Sequence, residues 1–149
     1  MCVIRVGGEE AESLTLTAHG RAHPDAADYW DGNWLSCTAE TRAGAFRGSL
    51  DGLLRNEDLA RLLAGMEQLH QRLVGEAMLD TLEGWVELRL VGDGRGHVEG
   101  SGHLCDAPVH GNTLAFRLSL DQSFLPAIMA QLRAAIKRFP VVGQTPNGI

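Results

Sequence analysis

Alternating apolar and polar residues fill most of this chain, and two stretches switch to a longer apolar period. Leu14, Leu16 and Ala18 alternate with Ser13, Thr15, Thr17 and His19, the period-two signature of a strand with one buried face. The same rule predicts strands over residues 34–40 and 45–50, the second ending in the turn dipeptide Asp51-Gly52. Val86, Leu88 and Leu90 alternate with Trp85, Glu87 and Arg89, and the glycine-rich stretch 92–96 then reads as a turn leading into a return strand over 97–105. Leu114, Phe116, Leu118 and Leu120 form the clearest buried face, alternating with Thr113, Ala115, Arg117 and Ser119.

The longer period marks helices. Leu59, Leu62, Leu63, Met66, Leu69 and Leu73 share one face of a helix predicted over residues 57–74. Asn56 is its expected N-cap, Glu57 and Asp58 suit the positive end of its dipole, and Gly75 is the expected stop. A second stripe runs through Leu125, Ile128, Met129, Leu132, Ala135, Ile136 and Phe139. Ser123 is a better cap for it than Asp121, because Pro126 then falls in the first turn, and Pro140 ends it.

The order strands, helix, strands, helix predicts an α+β fold, a mostly antiparallel sheet with two amphipathic helices packed on one face. A length of 149 residues fits one domain, with a core over about residues 2–140 and a tail over 141–149. No apolar run reaches the ~18 residues of a membrane span. The first residues, Met1 to Val6, are too short for a signal peptide and are soon followed by acids, which predicts a cytoplasmic protein. Cys2, Cys37 and Cys105 show no pairing motif and suit a reducing compartment. The formal net charge of −6 disfavours nucleic acid as a partner and suits a basic protein, and the lack of a span-length apolar run predicts no membrane partner.

Candidate chemistry is sparse. His97, His103, Cys105, Asp106 and His110 are the first residues to test for metal or hydrolytic activity. Neighbours two apart on one strand sit about 7 Å from each other, too far to converge without bending. Cys37 shares a strand face with Leu35 and Ala39 and reads as a small core residue rather than a nucleophile. The glycines of 92–102 lack the lysine and following helix of a phosphate loop. No residue pattern calls for a cofactor.

Residues 25–34 stand out instead. Tyr29, Trp30 and Trp34 crowd among Asp25, Asp28 and Asp31, in a chain with only 5% aromatics. Aromatics with polar tips favour interfaces, and acids beside them favour a basic partner. The structural alternative is that the tryptophans plug the edge of the core while Asp31-Gly32 turns the chain. Trp85 and Trp34, each on a strand face otherwise polar, extend the candidate contact surface.

The stretch Asp28-Tyr29-Trp30-Asp31-Gly32-Asn33-Trp34-Leu35 resembles the early motif of the WapI-type bacterial immunity proteins. Leu120-Asp121-Gln122-Ser123-Phe124-Leu125, before a final helix ending at Phe139-Pro140, is similar to their later motif. The likeness in element order covers about residues 14–140, while residues 92–110 carry no matching motif. The resemblance implies a non-catalytic protein that neutralises a polymorphic toxin, often a nuclease, by stoichiometric occlusion. It also implies a basic toxin domain as partner. Two alternatives from other classes stand beside it: a metal-dependent or hydrolytic enzyme using residues 97–110, and a homodimer that buries its tryptophans across a twofold axis.

Overall fold

A computed structural model describes residues 1–7, 12–107 and 109–146. The chain runs β1 (Cys2–Gly7), β2 (Ser13–Arg21), α1 (Tyr29–Gly32), β3 (Trp34–Ala43), β4 (Phe46–Arg55) and α2 (Asn56–Arg72). It continues through β5 (Val74–Asp80), β6 (Val86–Asp93), β7 (His97–Cys105), β8 (Thr113–Asp121), a 3-10 turn (Gln122–Phe124) and α3 (Leu125–Arg138). Two four-stranded antiparallel meanders result, β1-β2-β3-β4 and β5-β6-β7-β8, each followed by a helix. The fold is α+β, as the pattern predicts. The strands divide into two sheets, and each helix crosses to the other meander: α2 packs on β5 and α3 on β1.

Alternation decides which residues enter the core. Ile4, Val6, Leu14, Leu16, Ala18, Leu35 and Ala39 from the first sheet are buried together with Ala77, Leu79, Leu88, Leu90, Phe116 and Leu118 from the second. Leu59, Leu62, Met66 and Leu69 of α2 and Leu125, Ile128 and Leu132 of α3 complete the same cluster. The α2 helix packs on α3 and β5, while α3 packs on β1. Gln131 of α3 accepts the Arg5 N–H at 2.8 Å, which covers part of the β1 edge. No helix among the described residues is long and apolar enough to cross a membrane.

Several boundaries differ from the pattern. β4 does not stop at Asp51-Gly52 but continues to Arg55. Asp51 accepts a cross-strand bond from Thr38 at 2.6 Å, and Gly52 leaves room for the Trp85 ring, which a Cβ there would meet at 2.3 Å. Glycine is thus in this strand for close approach, not for a turn. Trp85 itself is only 7% exposed and donates its indole N–H to the Leu53 carbonyl at 2.7 Å. Its expected place on an open sheet face is therefore corrected: it precedes the first residue of β6, and so escapes that strand's alternation.

The helix termini also shift. Asn56 is the first residue of α2 rather than its cap; Arg55 holds the cap position, and the buried Asp58 carboxylate accepts the Arg55 N–H at 2.8 Å. The helix ends at Arg72, with Leu73 in the left-handed region (φ 64) where Gly75 was the expected stop. Ser123 does not cap α3: Asp121 caps the preceding 3-10 turn, accepting the Ser123 N–H at 2.9 Å, and Phe124 holds the cap position of α3. β1 and β5 are strands that the alternation does not announce. The expected tail from 141 is tied to the fold through Val142, whose N–H and carbonyl both bond Asn33. Residues 147–149 of that tail lie outside the described residues.

Candidate functional site

Between β2 and β3 the chain makes one helical turn, α1, capped by Asp28, which accepts the Asp31 N–H at 3.1 Å. Two arginines fix this turn by its carbonyls. Arg55 donates to the Trp30 carbonyl at 3.0 Å and the Tyr29 carbonyl at 2.9 Å, and its Nε bonds Glu57 at 3.0 Å. Arg21 donates to the Gly32 carbonyl at 2.7 Å and also bonds the Pro140 carbonyl. The Arg55 guanidinium, in a residue only 9% exposed, lies 5.0 Å from the Tyr29 ring, 5.5 Å from Trp30 and 5.1 Å from Trp34. Such cation–π contacts gain strength when the cation is desolvated. The Tyr29 hydroxyl donates to Glu57, a bond that raises the phenol's pKa.

The other end of the motif is a buried tie. Asn33 donates to the Tyr29 and Val142 carbonyls at 2.8 and 2.9 Å. It accepts from Val142 N–H at 2.9 Å and from the Asn56 amide at 3.1 Å. Asn56 passes the connection on to the Phe139 carbonyl at 3.1 Å. A Cβ on Gly32 would meet Val142 at 2.5 Å, so the glycine lets the chain end pack against the turn.

These bonds sort the predicted residues. Asp25, Asp28 and Asp31 are exposed, while Tyr29 and Trp34 are half-buried around Arg55. Trp30 is 62% exposed, and its ring meets Tyr29 edge-on at 5.1 Å. Trp85 is not part of this region's surface. Leu82, 80% exposed in the β5–β6 loop, joins Trp30 instead. Both line an open depression of about 460 Å³ with Arg55, Glu57, Asp58 and Arg61. Burial raises the pKa of Asp58, and the Arg55 N–H and the paired Arg61 partly oppose that shift. Leu82 had one sequence signal, an apolar residue inside a turn of polar ones; Arg55, directly after two leucines, had none.

The residues weighed for catalysis disperse along β7, which carries His97, His103 and Cys105, and the connection after it, which carries Asp106 and His110. His97 pairs with Glu99 at 2.6 Å and Ser119 at 3.2 Å, at the end of β7 whose register partner is Asp121. His103 faces Glu87 at 3.5 Å and the Gly84 carbonyl at 3.3 Å. The Cys105 thiol donates to the Ala107 carbonyl at 3.0 Å, and Asp106 accepts the Asn112 N–H at 2.6 Å. Among the described residues, no group of three or more His, Cys, Asp or Glu is placed to hold a metal ion. Cys37 is a buried core thiol whose pKa is pushed up to about 12, by desolvation first and then by the charge of Asp58.

The model of the Immunity protein WapI-like family matches residues 5–140. No curated protein matches the chain. Among solved structures, the plant transcriptional regulator PBF-2 superposes with a TM-score of 0.46 at 11% identity, over 97% of this chain and 90% of that one.

Proposed function

Since the chain belongs to the WapI-like immunity protein family, we propose that the exposed part of residues 25–34 is the surface with which it neutralises its toxin. A toxin-neutralising role, exercised by binding a protein, goes with the family. The finer reading is a basic toxin domain of nuclease type, blocked by stoichiometric occlusion in the cytoplasm and without turnover.

One observation carries it: Trp30 is 62% exposed on a backbone held by two bonds from Arg55. A large aromatic on a rigid support loses little freedom on binding, which is what makes tryptophan effective at interface centres. Leu82 adds apolar area beside the ring. Asp25, Asp28 and Asp31 on a chain of net charge −6 supply the field that steers a basic partner inward. Trp34 acts through Arg55 rather than by direct contact.

The test is a tagged pull-down from lysate of the source organism grown beside a competitor strain, followed by titration of the recovered protein. Wild type is expected to retain one stoichiometric basic protein. Trp30→Ala is expected to weaken its binding by about 10- to 100-fold, with the fold retained and the thermal midpoint lowered by only about 4 °C. Undiminished binding by a folded Trp30→Ala protein would remove this segment from the interface.

A further inference from the structure

A ten-residue strand spans roughly 30 Å, so the Ala43/Phe46 end of the β3–β4 hairpin lies far from the Trp34/Arg55 end. At that distant end Arg42 and Arg47 stand directly opposite each other on neighbouring strands. Both are exposed, and neither joins an ion pair among the described residues. Like charges in this position destabilise a sheet. Phe46, beside them, is 66% exposed.

β4 is an edge strand whose only strand partner among the described residues is β3. Near the helix its edge is occupied, because the Trp85 indole bonds the Leu53 carbonyl and covers Gly52. Residues 46–50 make no hydrogen bond outside the β3 pairing among the described residues. All five line a groove of about 250 Å³ whose other wall includes Leu104 and Leu114. Consecutive strand residues point to opposite faces, so a groove touching every one of them follows the edge itself. On the outer face a second depression, about 480 Å³, shares Arg47, Gly48 and Ser49 with it and adds Arg42, Ser13 and Thr15. The open edge thus has an apolar side and a cationic, hydroxyl-rich side.

We propose that residues 46–50 form a strand-addition site for an extended segment of a partner protein in which apolar and acidic residues alternate. Pairing with the open edge supplies main-chain hydrogen bonds, and period two sends successive side chains to the two sides. The apolar ones enter the groove against Phe46, Leu50, Leu104 and Leu114, and the carboxylates meet Arg42 and Arg47. Glu40 is the carboxylate of the outer lining, and Asp106 in the groove is already engaged by Asn112, so the arginine pair sets the sign of the site. An apolar groove offers nothing to a sugar-phosphate chain, which favours a protein segment. The site is independent of the toxin contact proposed at Trp30.

The experiment is a titration of the ¹⁵N-labelled full chain with an acetylated, amidated heptapeptide alternating leucine and glutamate. Amide shifts confined to residues 46–50 and 113–114 are expected, with affinity falling as salt rises. The Arg42→Ser/Arg47→Ser protein should bind about fivefold more weakly, and a peptide N-methylated at every second residue should not bind. The proposal is overturned if the lysine-for-glutamate peptide binds equally well, or if the N-methylated peptide binds unchanged. It is equally overturned if a single-stranded oligonucleotide shifts these amides and the acidic peptide does not.

Discussion

Asn33 and Trp30 belong to one short motif, yet their side chains have opposite fates. Asn33 makes four hydrogen bonds, three of them to backbone groups of Tyr29 and Val142. Asn33→Ala leaves those groups without partners, at about 1–3 kcal/mol for each that stays dry. A net loss of about 2–4 kcal/mol is expected by urea unfolding, whereas Trp30→Ala, which gives up only ring contacts with Tyr29 and Arg55, should cost about 1 kcal/mol. Equal losses in the two variants would mean that Trp30 is structural as well. His97 offers a second test at this scale. The hydrogen bond to Glu99 raises the imidazole pKa above 6.5; desolvation opposes it, and the Glu99 charge adds to the rise. A raised histidine pKa contributes stability that is fully present below 6.5 and lost as pH rises through the folded value. Ring titration by NMR should place the midpoint above 6.5 and move it down in Glu99→Gln. A midpoint unchanged by that substitution would show that the pair does not form in solution.

Elements with a clean single period were legible; those defined by what packs on them were not. β2, β3, β6, β7 and β8 alternate plainly, and both long helices carry continuous stripes. β1 has Cys2, Val3, Ile4 and Val6, apolar at both parities, so no face declares itself. β5 buries only Ala77 and Leu79 and begins directly after the Leu73 reversal, so helical periodicity runs into it. The Asp51-Gly52 pair has turn chemistry, but local propensity lost to the tertiary demand for space under Trp85. The candidate site divides in the same way. The acid-flanked aromatics at 28–34 were visible as a composition anomaly. Their support by Arg55, and the arrival of Leu82 beside Trp30, are contacts between residues distant in the chain that no local pattern encodes.

The whole molecule repeats one plan twice, a four-stranded meander and then a helix, and contacts tie the two halves together. Trp85 belongs to the second half but places its ring on Gly52 and its indole N–H on the Leu53 carbonyl of the first. α3, from the second half, closes the β1 edge through Gln131 and packs against α2. Val142, at the chain end, is held by Asn33. The buried residues of both halves form one cluster. Splitting them would expose that shared surface and leave the indole N–H and the Asn33 bonds unmade, so the halves are expected to unfold together. Urea unfolding should therefore give one transition, coincident by far-ultraviolet circular dichroism and by tryptophan fluorescence. Trp85→Ala should lower stability by about 3–5 kcal/mol, the usual loss for a large core aromatic, while the two signals stay coincident. If the signals separate in the wild-type protein, each meander with its helix is a folding unit, and the contacts through Trp85 and Val142 only dock one onto the other.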